Sequence, residues 1–379
     1  MSQDSDNGTN SNNNKREPLK SDQDGKSKKS DAGEKQQGDP KDFNSIEEIG
    51  REGLLREIRE MDNFISDQVM QGMGDDAAVT DETEQRAGLM TSETFLEGVN
   101  FDLTYTPLHH LGYKVVSAAV SDIYAMNGRP TAMLLNLALP NKLSVDMVKQ
   151  IYQGIYSAGR DYSVQLAGGD LTASHNILTL SATVYGRAEK KKITYRSGAR
   201  EGDVLCLTGD LGGAIAGLRI LMREKQQWQE EGEEQYMQPD FSEFEYVIQR
   251  QLVPAARDDF IDMLESLELC PTAMIDVTQG LLHDAYQLAE ASQKGFYIYQ
   301  STIPISIQTR TVADEMKEDV DKYALYGGED MEMLFTMPED QAETLHDKFD
   351  DFTIIGKITD QSEGMIMQTP QGEIDLFGE

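Results

Sequence analysis

The sequence predicts a two-domain α+β protein, and three observations carry that expectation. At 379 residues the chain exceeds one average domain. From Ser45 onward, strand-like and helix-like segments alternate in both halves, without the tight strand–helix–strand rhythm of a doubly wound sheet. Near the middle, the basic and glycine-containing stretch "KKKITYRSGAREGDVL" (190–205) reads as a hinge. The expected division is a polar tail over 1–43, an N-terminal domain over 44–189 and a C-terminal domain over 190–379.

The elements follow in order. Residues 1–43 are nearly free of aliphatics and rich in Ser, Asn, Asp, Lys and Gly. Such a segment buries too little apolar surface to offset its ordering entropy, so disorder is expected. Its "GKS" at 25–27 is no phosphate loop, because Lys20 stands where the first glycine belongs and no strand precedes it. "SIEEIGREGLLREI" reads as a short helix opened by a capping box, Ser45 followed by Glu48. "VMQGMGDDAAVT" is a loop of glycines and acids, and "AGLMTSETFLEG" a strand running into a bend. Leu108, Leu111, Val115 and Ala119 recur at helical spacing and carry Asp122 toward the end of that helix. "TAMLLNLALP" predicts a strand, "SVDMVKQIYQGIYSAGRDY" a helix, "SVQLAGGDLTAS" a strand ending in a Gly-Gly-Asp turn, and "NILTLSATVYGRAE" another strand. In the second half, "DVLCLTGDLGGAIAGLRIL" is strand, glycine turn and helix, and 224–243 is a polar insertion. Helices are expected around 247–269. "YALYGGEDMEMLFTMP" reads as a turn between two strand-like pieces.

Composition narrows the function classes. The formal charge is −33, of which the tail supplies −1, so the acidity sits on the folded body. Such a surface repels phosphate backbones and anionic lipids, arguing against nucleic acid and membrane as partners. It also fits a salt-rich surrounding that screens the self-repulsion. Cys206 and Cys270 lie in apolar contexts without metal-like spacing and read as core thiols. With no membrane-length apolar run and no secretion-signal layout, a cytoplasmic location is expected.

Several acids share one context, an apolar element followed by a small residue or glycine. They are Asp75 and Asp76 in "GMGDDAAV", Glu93 in "TSETFLEG", Asp122 in "VSDIYAMNG", Asp170 in "AGGDLTAS" and Asp276 in "MIDVTQG". Carboxylates at the mouths of elements suit hard cations that bridge polyphosphate, and Mg²⁺ needs only one or two per ion. Each alone reads as readily as a helix cap or an Asx-turn.

Taken in order, "GDDAAV", "TSETFLEGVNF", "VSDIYAMNG", "AGGDLT", "YRSGAREGD", "MIDVTQGL" and "GGEDMEMLFT" resemble the signature segments of thiamine-monophosphate kinases, from about residue 46 to about 375. That family belongs to the aminoimidazole-ribonucleotide-synthetase-like superfamily. The resemblance implies a homodimer whose N-terminal α/β domain forms the dimer and whose C-terminal domain is α+β. It implies transfer of the γ-phosphoryl group of ATP to thiamine monophosphate, with several Mg²⁺ ions. It matches Asp76, Asp122, Asp170 and Asp276, with Thr91, Ser92 and Glu93, to metal-binding positions. It matches Gly169, Arg196, Tyr152 and Thr278 to the nucleotide side, Asn100 and Glu329 to the thiamine side, and Asp122 and Arg196 to the reacting centre. Phosphoryl transfer asks mainly for alignment and charge neutralisation, which these residue types supply.

The chain departs from the family pattern at several places. Asp-x-Ser-Asp-Gly-Leu becomes Asp276-Val277-Thr278-Gln279-Gly280-Leu281, which keeps a hydroxyl at Thr278 and replaces an acid by the neutral Gln279. Asp284 or a water is the candidate to fill in for Gln279. Glu93 stands for an aspartate, Asn100 for a histidine, and Met331 where tyrosine is usual. Phe377 occupies the region of a C-terminal aromatic that packs on substrate in the family. A relative that binds nucleotide or thiamine phosphate without catalysis is the alternative function. With no cysteine before Cys206, a selenophosphate synthetase is disfavoured.

Overall fold

The computed structural model describes residues 46–61, 64, 66–231 and 240–377. The expected tail, Ser45 of the capping box and residues 232–239 of the polar insertion lie outside the described residues. The first helix, α1 (Ile46–Met61), is a contact unit distinct from Asn63–Glu379 and kinks at Gly50, where φ is 67°.

The N-terminal half of the larger unit is a six-stranded sheet. Its strands are β1 (Val69–Gln71), β2 (Ala78–Asp81), β3 (Arg86–Leu96), β4 (Arg129–Pro140), β5 (Gln165–Ser174) and β6 (Thr179–Glu189), in the order β1-β2-β3-β6-β4-β5. Two helices, α2 (Leu108–Ala125) and α3 (Val145–Asp161), complete this half. Their spacing of apolar residues is helical, and α2 is so apolar that nearly all of it is buried, Lys114 included. The two helices approach closely through glycines. A Cβ on Gly112 would lie 2.1 Å from the Ile151 carbonyl oxygen, and one on Gly154 1.9 Å from that of His109. Only hydrogen fits at either point.

The C-terminal half is a seven-stranded sheet in the order β13-β12-β9-β11-β7-β10-β8. It comprises β7 (Val204–Thr208), β8 (Ala273–Val277), β9 (Gly295–Tyr299), β10 (Glu332–Met337), β11 (Phe352–Thr359), β12 (Met365–Thr369) and β13 (Gly372–Asp375). Around it run α4 (Gly213–Glu231), α5 (Glu245–Leu252), α6 (Asp258–Ser266), α7 (Leu281–Ser292), α8 (Ile307–Met316), α9 (Val320–Tyr326) and α10 (Glu339–His346). Strands β8 and β10 are buried at every position, their largely apolar runs carrying Asp276, Glu332 and Thr336 in with them. Mixed sheets with separate helical layers make the architecture α+β.

Three local expectations are corrected. Strand β5 does not end at Gly168-Gly169-Asp170 but pairs in parallel with β4 as far as Ser174. Gly169 sits at φ 149°, and a Cβ there would fall 1.8 Å from the Leu135 carbonyl oxygen, so the glycines let the strand continue where a turn was expected. Residues 224–231 are the last turns of α4, and Lys225 there pairs with Asp102 of the N-terminal half. The piece before "GGED" is helix α9, since the Asp319 carboxylate caps the Asp321 amide and starts a helix that local strand propensity does not suggest.

Candidate active site

Helix α2 delivers Ser121 and Asp122 in its last turn, and β8, at the edge of the second sheet, delivers Asp276. Ser121 donates a 2.5 Å hydrogen bond to Asp276, which ties the two halves together at this point. The loop between β1 and β2 adds Asp75 and Asp76. Thr91 on β3 donates to Asp122 at 2.5 Å. One carboxylate oxygen each from Asp76, Asp122 and Asp276 lies within 4.8 Å of the others.

The Arg196 guanidinium, from the segment between β6 and β7, bonds Asp76 at 2.6 and 3.3 Å, and its backbone amide donates to Asp75. Burial, then repulsion from Asp276, Glu93 and Asp76, pushes the Asp122 carboxyl well above the ordinary range. Burial and then Asp76 do the same to Asp276. Asp76 is raised by burial despite the opposing Arg196. Burial and the neighbouring Asp76 push Asp75 up to about 7. The concentration of buried negative charge exceeds what one guanidinium neutralises, and the donors are all hard oxygens. That donor set fits Mg²⁺ rather than a softer metal.

The structure separates the members of "TSE". Successive strand residues face opposite sides of a sheet, so Thr91 meets Asp122, and Glu93 acts on the same acid. Ser92 points to the other face, where its hydroxyl pairs with Thr183 at 3.1 Å. Gly169 and Asp170 lie on the exposed edge strand β5, outside the three-acid group. Tyr152 is also apart, lining a groove of about 590 Å³ with Val148 and Tyr156 of α3 and Leu143 just before it. Thr278 joins the site through its backbone: its amide donates to Asp284, and its carbonyl accepts from Glu329. Gln279 is exposed, its amide held by the same Asp284 oxygen at 3.0 Å. Asp284 is buried beneath that loop and adds its negative potential to Asp76 and Asp276.

Asn100 and Glu329 do come together, in a cleft of about 980 Å³ that also holds Tyr105 and Arg219. The Asn100 side-chain oxygen accepts from the Leu96 amide and so shapes the loop it sits in. Glu329 has a positive φ of 59° and is gripped by the buried Lys114 at 2.8 Å. Met331 is buried. Phe377 packs on Tyr286, with ring centroids 4.8 Å apart, and does not line that cleft.

Sequence reasoning missed Ser121 and Lys114, and it named Asp284 only as a substitute for the acid lost at Gln279. A lone lysine inside an apolar helix was the available signal for Lys114, since burial of an ammonium demands a partner acid. Ser121 carried no such mark, because a short polar residue near a helix end has many local uses.

The comparisons with known proteins bear on this geometry. Residues 74–188 match the model of AIR synthase related protein, N-terminal domain, and residues 200–367 match AIR synthase related protein, C-terminal domain. The thiamine-monophosphate kinase of Aquifex aeolicus (strain VF5) is 31% identical over 323 residues, covering 85% of this chain and 95% of the relative. The chain belongs to the thiamine-monophosphate kinase family. The family member from Bacillus subtilis (strain 168) is 31% identical over 274 residues, 72% of this chain and 79% of its own. Among solved family structures, AaThiL complexed with AMPPCP and TMP superposes with a TM-score of 0.73 at 29% identity, covering 89% of this chain and all of that one. The two-domain α+β fold is thus the fold of the family. No helix among the described residues is long and apolar enough to cross a membrane.

Proposed function

We propose that this chain is a cytoplasmic, homodimeric kinase that transfers the terminal phosphoryl group of ATP to thiamine monophosphate, giving thiamine diphosphate and ADP. The observation that carries the reading is the placement of two groups along α2. Its end holds the Asp76–Asp122–Asp276 cluster with Arg196, and its middle holds Glu329 through Lys114. Asp122 lies eight residue steps along the helix from Lys114, roughly 12 Å at 1.5 Å per residue. One rigid element therefore fixes the substrate-side acid relative to the reacting centre.

Asp76, Asp122 and Asp276 would hold Mg²⁺, aided by Glu93, which would neutralise charge on the transferring phosphoryl group. Thr91 and Ser121 keep two of those carboxylates pointed inward. Arg196 offers the fixed cation for the phosphate oxygens. The acceptor is a phosphate oxygen, largely ionised at neutral pH, so no strong general base is required. Gly169, Thr278 and Tyr152 are assigned to the nucleotide side, and Asn100 and Glu329 to the thiamine side. The open face of the N-terminal sheet exposes Met90 and Leu134, and a second copy seated there would also cover Ser92 and reach Asp170. The domain boundary falls near residue 190, with most of the metal and ATP contacts ahead of it and Arg196, Asp276 and Thr278 reaching in from beyond it. Gln279, being exposed, takes no charge out of the three-acid group, which supports an active enzyme over a binding relative.

The test is to incubate the protein with ATP, MgCl₂ and thiamine monophosphate and follow thiamine diphosphate as its fluorescent thiochrome. Product that vanishes in Asp122→Asn is expected, with Gln279→Asp changing the rate little. Absence of product from the wild type at any salt concentration would sink the reading.

A further inference from the structure

Arg196 sits in a stretch, 195–199, that belongs to no helix or strand. Its backbone groups have no ladder to join and must find partners elsewhere. The Tyr195 carbonyl accepts from the Met274 amide of β8 at 3.1 Å, and the Arg196 amide donates to the Asp75 carboxylate at 3.2 Å. Three more groups converge on one hydroxyl. Ser292 accepts from the Gly198 and Ala199 amides, both at 3.1 Å, and donates to the Arg196 carbonyl at 2.9 Å. A serine hydroxyl offers one proton and two lone pairs, so these three bonds saturate it.

Ser292 is itself a fixed point. It is the last residue of α7, whose Leu281, Ala285, Leu288 and Ala289 are buried with Ile275 and Ile298 of the second sheet. The helix stops cleanly there. Gln293 turns left-handed at φ 53°, and the amides of Gln293 and Lys294 return to the Glu290 and Ala289 carbonyls. That is a Schellman closure, which satisfies the last carbonyls of the helix. On its other side the stretch lies close to the chain before β8. Gly198 has φ 133°, and a Cβ there would fall 2.4 Å from the Thr272 carbonyl oxygen.

We propose that Ser292 is a positioning residue for phosphoryl transfer, acting through Arg196. The proposal rests on the kinase reading above and names the group that aims its cation. The guanidinium bonds Asp76 at 2.6 and 3.3 Å, so its place beside the carboxylate cluster depends on where the Arg196 backbone lies. Asp75 fixes the amide of that residue and Ser292 its carbonyl. Without the hydroxyl, three backbone groups turn to water and the arginine loses one of its two anchors. A displacement of about 1 Å at a reacting centre can cost about a hundredfold in rate. All three hydrogen bonds of Ser292 go to backbone, so its effect on rate passes through the residue it holds.

A double-mutant cycle in the full-length protein separates that role from general support of the fold. Turnover of ATP and thiamine monophosphate is measured in MgCl₂ for wild type, Ser292→Ala, Arg196→Met and the pair, well below each Tm. Ser292→Ala should lower kcat about tenfold or more and leave KM for thiamine monophosphate within about twofold. Ser292→Thr, which keeps the hydroxyl, should recover most of the loss. In the Arg196→Met background the same change should cost less than about twofold, because no guanidinium is left to aim. An equal loss in both backgrounds, or wild-type kcat in Ser292→Ala, would overturn the proposal. If Ser292→Ala does not fold, Ser292→Cys, close in size and with a thiol that bonds only weakly, carries the same cycle. Calorimetric titration with ATP in MgCl₂ keeps the two readings apart. A wild type that makes no thiamine diphosphate ends the kinase reading, and the cycle run on the Kd for ATP then decides the role of Ser292. Several-fold weaker binding that appears only when Arg196 is present supports it. Equal weakening in both backgrounds, or none, refutes it.

Discussion

Removing a carboxylate from the three-acid group should make the metal-free protein more stable. Two ionised groups 4.8 Å apart repel by roughly 3–4 kcal/mol at an effective dielectric constant of about 20. Asp276 faces Asp76 and Asp122, and Arg196 offsets part of that sum. Protonation relieves more of it, because all three carboxyls are raised above the ordinary range. A net gain of roughly 1–3 kcal/mol for Asp276→Asn is the residue of these terms. Asparagine keeps an oxygen able to accept the Ser121 hydroxyl, so packing is little disturbed. With a chain of this size, each kcal/mol moves Tm by roughly 2–4 °C. The assay is thermal melting in EDTA and in excess MgCl₂. Wild type should rise with Mg²⁺, by about 2.7 kcal/mol at a hundredfold excess over Kd. Asp276→Asn should start higher in EDTA and respond weakly. A variant that melts lower in EDTA yet keeps the full Mg²⁺ response would refute the electrostatic account.

Three further predictions follow from individual contacts. Gly169→Ala forces a Cβ toward the Leu135 carbonyl in a backbone conformation alanine avoids, and should cost at least about 2 kcal/mol by denaturant unfolding. Lys114→Met removes the partner of Glu329 and should raise KM for thiamine monophosphate more than it lowers kcat, with a stability loss of roughly 1–3 kcal/mol because Glu329 is one-third exposed and can regain water. The Asp330 carboxyl, which accepts the Gly212 and Ala214 amides, is pushed up to about 6 by burial, with Arg250 opposing. Its native form thus binds the proton more tightly than the unfolded chain, so this group's contribution is present below the unfolded value of 3.8 and is lost as pH rises through 6. Asp330→Asn retains an acceptor oxygen and should flatten that part of the stability–pH profile by one proton, measured by urea unfolding between pH 4 and 7.

The sequence alone determined the class of the fold and most elements of the N-terminal half. Apolar spacing at 108–119 and the alternating run at 176–189 are local signals, and local signals survive without tertiary context. It also located the acids, because a carboxylate beside a glycine at an element's end stands out in any context. The tertiary structure decided which of those acids meet. Asp76, Asp122 and Asp276 are brought within 4.8 Å by a loop, a helix end and an edge strand far apart in the chain, and no spacing rule relates them. It turned Ser92 away from its neighbours Thr91 and Glu93, since sheet pleat assigns faces only once register is set. It carried β5 through three residues that read as a turn, and it moved Gln279 out to solvent while Asp284 took the place beneath the loop. The acids and their turns are local properties of the chain. Their convergence and the grip of Lys114 on Glu329 are long-range packing outcomes, fixed when the two sheets bury their apolar faces.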